Sequence, residues 1–121
     1  MEIKSALVAD DEKDLCMLLK IQLKRIGIQA SIVNSIGELQ AQFDPKEHDL
    51  VFLDINFPDG NGIDMIPFLK RQKKGLVIIV ISAYNSSIEH YDVFRDNSSV
   101  YFLAKPFSHD DVSEIIEKVV S

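Results

Sequence analysis

Short, continuously apolar runs alternate with amphipathic segments along the whole chain, and this alternation constrains the fold more than any other feature. Strands that helices cover on both faces have such uninterrupted apolar sequences, because neither face of the sheet meets water. The pattern predicts five strands alternating with five helices in an α/β, doubly wound three-layer sandwich around a parallel sheet. The predicted strands are Ser5–Ala9, Gln29–Val33, Leu50–Leu53, Leu76–Ile81 and Val100–Leu103.

Helix start and stop signals lie between these runs. They are Gly27 after the first helix, Ser35 before a short second helix that ends near Asp44-Pro45, Pro67 in the first turns of the third, Ser86 before the fourth and Ser108 before the fifth. Ser35 and Ser108 are each followed three residues later by an acid, which is typical of a capping box. The fourth helix is the weakest prediction, because the apolar stripe between residues 88 and 97 is irregular.

Length and charge restrict the functional classes. The 121 residues, 46% of them apolar, predict a single domain over residues 1–121 with an ordinary core. A net charge of −6 disfavours direct nucleic-acid binding by this domain. The longest predicted apolar run is too short to span a bilayer, and Cys16 is the only cysteine, so we expect a cytoplasmic location with no membrane contact. The three histidines match no metal-ligand spacing, and we expect them at the surface or at interfaces.

Polar side chains follow four of the predicted strands. Asp10 and Asp11 follow the first strand, Asp54 the third, Ser82 the fourth and Lys105 the fifth. Turn chemistry explains each of them singly, but all of them together at one edge of a sheet are an improbable outcome of turn chemistry alone. Ligands of open parallel sheets bind at that edge, so the sequence predicts the functional site there.

Three carboxylates at this edge repel one another. At an effective dielectric constant near 20, each pair about 4 Å apart has a repulsion energy on the order of 4 kcal/mol. Lys105 supplies part of the compensating charge, and a cluster of hard oxygen ligands suits Mg²⁺, which readily takes a phosphate oxygen as well. A carboxylate beside bound Mg²⁺ can accept a phosphoryl group. Asp54 ends a buried strand singly and is the predicted acceptor, whereas the adjacent pair Asp10 and Asp11 is better suited to hold the metal.

Four motifs in order resemble the receiver domains of bacterial two-component response regulators, and the resemblance covers the whole chain. They are Val8-Ala9-Asp10-Asp11-Glu12, Leu53-Asp54-Ile55-Asn56-Phe57-Pro58-Asp59-Gly60-Asn61-Gly62, Ile81-Ser82-Ala83-Tyr84 and Ala104-Lys105-Pro106-Phe107. The resemblance implies a flavodoxin-like sheet with strand order 2-1-3-4-5. It implies that Asp54 is the phosphoacceptor and that Mg²⁺ is held by Asp10, Asp11, Asp54 and the backbone carbonyl of Asn56. Ser82 and Lys105 would contact the phosphoryl group.

The resemblance also implies a switch. After phosphorylation of Asp54 by a sensor histidine kinase or a phosphotransfer protein, the Ser82 hydroxyl would move towards the phosphoryl group and Phe102 would turn inward. The surface formed by the last two helices and the strand between them would then change for an unknown output protein, or for a homodimer. Ile88, Tyr91, Phe94 and Arg95 are candidates for that surface. Both a stand-alone regulator and a domain of a larger regulator or hybrid kinase fit this interpretation.

Two other functional classes share this architecture. A Mg²⁺-dependent phosphatase with an aspartyl-phosphate intermediate would need a second acid two residues after Asp54, where this chain has Asn56. A flavin carrier would need a phosphate-binding loop rich in Gly, Ser and Thr after the first strand, where the acids at residues 10–12 would repel a phosphate. We therefore expect a phosphoacceptor domain rather than an enzyme, with at most weak self-catalysed phosphorylation and dephosphorylation.

Overall fold

A five-stranded parallel sheet forms the centre of the fold in the computed structural model, which describes residues 2–83 and 99–121. In chain order the strands are β1 (Ser5–Ala9), β2 (Gln29–Val33), β3 (Leu50–Asp54), β4 (Asn56–Phe57), β5 (Gly60–Asn61), β6 (Val77–Ser82) and β7 (Val100–Ala104). The long strands are arranged as β2-β1-β3-β6-β7, all parallel, which confirms the predicted order. The sequence did not predict β4 and β5. These two strands of two residues each form an antiparallel hairpin after β3.

Helices cover both faces of the sheet. They are α1 (Lys13–Ile26), α2 (Ile36–Gln42), α3 (Ile66–Gln72), preceded by a 3-10 helix at Gly62–Met65, and α4 (His109–Val120). The predicted fourth helix, with its cap at Ser86 and its candidate surface residues 88–95, lies outside the described residues. Within residues 2–83 and 99–121, no helix is long and apolar enough to cross a bilayer.

The predicted caps account for the helix ends. Gly27 ends α1 with φ of 93°, a left-handed conformation that costs glycine least. The Ser35 hydroxyl accepts the N–H of Glu38 at 3.1 Å at the start of α2, and Ser108 forms the complete predicted capping box with Asp111 at the start of α4. Pro67 lies in the first turn of α3, where its missing N–H has no helical partner to lose.

Alternate residues of each central strand pack against opposite helix layers. In β1, Ala6 and Val8 join the core with α1 and α4, whereas Leu7 and Ala9 join the core with α2 and α3. All residues of β3 and β6 are buried. This two-sided burial explains the continuous apolar runs and confirms the three-layer sandwich.

The carboxyl ends of the strands meet at one edge, as the parallel topology requires. β3, β6 and β7 each extend one residue beyond the predicted end, so that Asp54 and Ser82 are the last residues of their strands. Asp54 lies opposite Ile81, and Ser82 lies opposite Ala104, the residue before Lys105. The sheet register therefore fixes the relative positions of these polar residues.

His48 corrects one expectation. The sequence placed it at the surface or at an interface, but only 3% of the residue is exposed. The N–H of Asp44 donates to His48 Nδ1 at 2.9 Å, and the imidazole stacks on Phe43 with 5.7 Å between ring centroids. His48 thus closes the turn between α2 and β3 and has a structural role.

Candidate functional site

The polar residues predicted from the strand ends come together around Lys105. Its Nζ lies 2.9 Å from Asp10 Oδ2, 2.9 Å from Glu12 Oε1 and 3.6 Å from Asp54 Oδ1. The side chain of Asp10 is fully buried, that of Asp54 is 6% exposed and that of Lys105 is 14% exposed. One ammonium group therefore forms ion pairs with three carboxylates, two of which have little access to water.

The main chain holds Lys105 and Ser82 together. The N–H of Lys105 donates to the carbonyl oxygen of Ser82 at 2.8 Å, directly after the last paired residues of β6 and β7. Ser82 is buried, and the peptide bond between Lys105 and Pro106 is cis. The predicted hydroxyl and ammonium groups thus lie on adjacent strand ends.

The carboxylates carry more negative charge than Lys105 balances. Burial and the charge of Asp10 raise the pKa of Asp54 to about 6, and the charge of Lys105 opposes the increase. Burial also raises the pKa of Asp10, against the N–H of Glu12 and the charge of Lys105. Burial would lower the pKa of Lys105, but its bonds to Glu12 and Asp10 raise it above the ordinary value. Lys105 is therefore cationic at neutral pH, and the ionised form of Asp54 is unfavourable.

This imbalance predicts that Asp54→Asn stabilises the protein when no divalent cation is present. Below the ordinary pKa of 3.8, Asp54 is protonated in both the folded and the unfolded chain and costs nothing. As the pH rises from 3.8 to about 6, only the folded state retains the proton, so native stability falls, and above about 6 the loss stays constant. We expect the variant to gain about 1–3 kcal/mol at pH near 7 and much less at pH near 4, measured by urea unfolding in chelator.

Asp64→Asn is the matched control, because it removes one exposed acid from the 3-10 helix after the same strand. We expect it to change the free energy of unfolding by less than about 0.5 kcal/mol. An equal gain for both variants would show that net charge, rather than the burial of Asp54, sets the difference.

A set of oxygen donors suitable for a cation lies at the same edge. Asp10, Asp11 and Glu12 each offer a carboxylate oxygen, and these oxygens lie within 4.8 Å of one another. Asp11 and Glu12 are exposed, so a cation reaches the set from solvent. Hard anionic oxygens with room for water fit Mg²⁺. Sequence reasoning did not assign Glu12 as a candidate ligand, although it directly follows the predicted pair.

The predicted carbonyl donor lies on the neighbouring hairpin. Asn56 is exposed, belongs to β4 and stands two residues after Asp54. At the base of this hairpin, the N–H of Gly62 donates to the carbonyl oxygen of Ile55 at 2.7 Å. A Cβ at position 62 would stand 1.9 Å from the carbonyl oxygen of Asp54, so Gly62 packs directly against the main chain of the predicted acceptor. Sequence reasoning missed this role of Gly62, although its motif contains it.

The predicted switch residue Phe102 is half-buried in β7, opposite Val80 of β6. It lines an open cavity of about 350 Å³ between β7 and α4, whose other lining residues include Ala104, Pro106 and Ile115. The Phe102 side chain packs against the core on the α2 and α3 side of the sheet. Phe102 and Ser82 therefore lie on the two adjacent strands that end at the acidic cluster.

A doubly wound sheet with this edge defines a class: α/β domains that place a carboxylate, a lysine and a cluster of acidic residues at the strand ends. The sequence profile of the family described as response regulator receiver domain matches residues 6–117. The chain therefore belongs to the response regulator receiver domain family, which functions in two-component signalling.

Relatives and solved structures agree with this assignment. The chain is 29% identical over 121 residues to the DNA-binding transcriptional regulator NtrC of Azospirillum brasilense, covering 100% of this chain and 25% of that protein. It thus spans about a quarter of the length of such curated relatives. The receiver domain of HemR from Leptospira biflexa superposes with a TM-score of 0.86 at 27% identity, covering 98% and 94% of the two chains. A CheY-like receiver domain protein of Methanospirillum hungatei superposes with a TM-score of 0.84 at 22% identity, covering 97% and 93%.

Proposed function

We propose that the chain is a phosphorylation-dependent switch that accepts a phosphoryl group on Asp54 from a histidine kinase or phosphotransfer protein, with Mg²⁺ as cofactor. One observation carries the proposal: Asp54 ends a buried strand 3.6 Å from Lys105 Nζ, beside an acidic cluster with the composition of a Mg²⁺ site. Family membership supports the same role for these residues.

The chemistry is an in-line displacement at phosphorus. A carboxylate oxygen of Asp54 attacks, the bond from phosphorus to the donor nitrogen breaks, and that nitrogen keeps the electron pair. Lys105 neutralises charge on the transferred oxygens, because its ammonium already lies beside Asp54. Asp54 reacts as the anion, which predominates above its pKa of about 6.

Asp10, Asp11 and Asp54 would hold Mg²⁺ through carboxylate oxygens, and Asn56 through its backbone carbonyl. When bound, the metal supplies positive charge that offsets the repulsion between the carboxylates and the incoming phosphoryl oxygens. Glu12 lies in the same donor set and pairs with Lys105, so we include it among the residues that shape the site.

Phosphorylation would be transmitted through two adjacent strands. The Ser82 hydroxyl, at the end of β6, would donate to a phosphoryl oxygen, and Phe102 of β7 would turn inward. Hydrogen bonds to charged groups contribute about 1.5–3 kcal/mol each, so two of them approach the roughly 5.5 kcal/mol that inverts a 1:99 equilibrium. The exposed surface of β7 and α4 would then change for an output protein or a second copy.

The domain would act as a phosphoacceptor rather than as an enzyme with its own substrate. An aspartyl-phosphate phosphatase would need an acid two residues after the acceptor to protonate the leaving group, and Asn56 offers an amide there. Slow self-catalysed phosphorylation and hydrolysis remain within the chemistry of Asp54 and Lys105. We therefore propose that the phosphorylated domain itself is the signalling state.

Intact mass after incubation with acetyl phosphate and Mg²⁺ tests the function. We expect one added phosphoryl group on the native chain and none on Asp54→Asn or in chelator, because the variant lacks the nucleophile. Asp64→Asn, which also removes one acid near the site, should be phosphorylated like the native chain. An adduct that persists in Asp54→Asn would assign a different acceptor. No adduct on the native chain, with Mg²⁺ binding shown by calorimetry, would reject phosphorylation by this donor.

The start of α1 offers a contact surface for the phosphodonor protein. Met17, Leu18 and Ile21 are about half exposed, the only large apolar side chains so exposed among residues 2–83 and 99–121. They lie on α1, which begins at Lys13, directly after the acidic cluster at residues 10–12. A donor protein that packs on them would bring its phosphorylated side chain close to Asp54.

Ile21→Lys should slow phosphorylation by a protein donor at least about tenfold, because it places a charge on apolar contact area. The rate with acetyl phosphate should stay unchanged, since the small donor needs no docking surface. Both rates are measured by mass spectrometry, and Lys20→Glu serves as a charge-change control at the neighbouring exposed position. Equal slowing with both donors would place the effect in the site and reject this docking surface.

The output of this chain has to be inferred from relatives of which it covers about a quarter. NtrC is described as a DNA-binding transcriptional regulator. We propose that this acidic domain does not itself bind nucleic acid and that it signals through an attached domain, a protein partner or a homodimer formed by the β7 and α4 face. Sedimentation before and after phosphorylation tests the homodimer. If it forms, the mass of the particle should double only after phosphorylation.

A further inference from the structure

The hairpin that carries Asn56 is held at its tip by the N-terminus of α2. Asp59, in the turn between β4 and β5, accepts the N–H of Ile36 at 3.0 Å through Oδ1 and the N–H of Gly37 at 3.0 Å through Oδ2. These two donors lower the pKa of Asp59 below its ordinary value. Each oxygen of one carboxylate thus has its own main-chain partner on another element.

Close packing supports the same contact. Gly60, next to Asp59, has φ of 153°, and a Cβ there would lie 2.8 Å from Ile36 Cδ1. At its other end the hairpin is fixed by the hydrogen bond from Gly62 to Ile55 beneath Asp54. The segment that offers the Asn56 carbonyl is therefore held both at the base, beside the acceptor, and at the tip, on α2.

The residue before the Ser35 cap contacts the other half of the site. Asn34 Nδ2 donates to the main-chain carbonyl oxygen of Asp10 at 2.8 Å. The Cys16 thiol donates to the same oxygen at 3.3 Å. The junction between β2 and α2, residues 34–37, thus touches both segments that supply cation ligands, the Asp10 turn on one side and the hairpin on the other.

We propose that Asn34 and Asp59 are positioning residues for the cation site, and that the β2–α2 junction sets the spacing between its acidic and carbonyl ligands. The inference rests on the proposed Mg²⁺ site. Because binding free energies couple reciprocally, Mg²⁺ should in turn stabilise the contact between Asp59 and α2. The helix has only seven residues and depends on such contacts, so the effect should be visible in its amides.

Asp59→Asn tests the first residue. The amide keeps one acceptor oxygen and turns an NH₂ group towards a main-chain N–H, so one of the two bonds is lost. Outer partners of metal ligands typically change affinity 10–100-fold. Because Asp59 acts through the hairpin main chain, we expect a loss of about three- to tenfold in Mg²⁺ affinity by calorimetry. Asp64→Asn removes the same charge from an exposed position nearby and should change the affinity less than about twofold.

Hydrogen exchange at the amides of Ile36 and Gly37 provides a readout independent of activity. In the native chain, Mg²⁺ should slow exchange at both amides, and in Asp59→Asn both should exchange faster and respond less to Mg²⁺. Asn34→Ala removes the hydrogen bond to the carbonyl oxygen of Asp10. This variant should therefore weaken Mg²⁺ binding through the turn at Asp10 rather than through the hairpin. Circular dichroism verifies that each variant is folded.

Two outcomes would overturn the inference. Equal Mg²⁺ affinity in Asp59→Asn and Asp64→Asn, with binding intact in the native chain, would reject the positioning role alone. Exchange at Ile36 and Gly37 that ignores Mg²⁺ would also reject it. Absence of Mg²⁺ binding to the native chain would reject the proposed cation site and this inference with it, so the two failures are distinguishable.

Discussion

Gly62→Ala is expected to destabilise the protein by about 3 kcal/mol or more. The new methyl group would clash with main-chain atoms, which cannot rotate away as the end of a side chain can. Its Cβ would lie 1.9 Å from the carbonyl oxygen and 3.0 Å from the carbonyl carbon of Asp54. Relief requires a shift of β3 or of the 3-10 helix, and either shift strains the hydrogen bond from Gly62 to Ile55. Urea unfolding measures the loss, and phosphorylation by acetyl phosphate should slow as Asp54 moves.

Gly37→Ala is the matched control for the same chemical change. Its Cβ would lie 3.7 Å from Asp59 Oδ2 and 3.9 Å from Ser35 Oγ, which are ordinary contacts. Because alanine favours a helix over glycine, we expect this variant to be equally stable or up to about 1 kcal/mol more stable. A loss below about 1 kcal/mol in Gly62→Ala would show that the main chain at Asp54 shifts at little cost in free energy.

The sheet was predictable because a continuous apolar run in the sequence indicates a strand that is buried on both faces. The strand starts were correct except at β6, which begins one residue later, and the ends of three strands were predicted one residue early. The early ends fell at Asp54, Ser82 and Ala104, because polar or small residues look like loop residues when pairing is unknown. The parallel order then placed the strand-end residues at one edge without further information.

What the sequence did not predict depends on contacts between distant segments. Nothing local in Asp59 indicates that its carboxylate meets Ile36 and Gly37, because the partners are main-chain N–H groups 23 and 22 residues away. Glu12 likewise reaches Lys105 across a separation of 93 residues. The burial of His48 follows from the turn it closes on Asp44. Such contacts emerge only when the packed elements set the distances.

Lys105→Met should destabilise the protein by about 2–4 kcal/mol at pH near 7 in chelator, the second largest effect. The substitution keeps an apolar stem of similar length but removes the cation 2.9 Å from the fully buried Asp10. It also removes the partner that opposes the raised pKa of Asp54. The expected loss is below that for a fully buried pair, because the Lys105 side chain is 14% exposed and Glu12 can turn to solvent.

The pH dependence and the metal dependence identify the cause of this loss. As the pH falls towards about 4, Asp10 and Asp54 take up protons in the folded variant, so the difference from the native chain should shrink. Mg²⁺ should restore part of the lost stability, because it supplies charge to the same carboxylates. Lys13→Met, the same change at an exposed position on the first turn of α1, should have little effect. A loss independent of both pH and Mg²⁺ would instead mean that Lys105 contributes through packing, and would remove it from the electrostatic balance on which the proposed phosphoryl transfer depends.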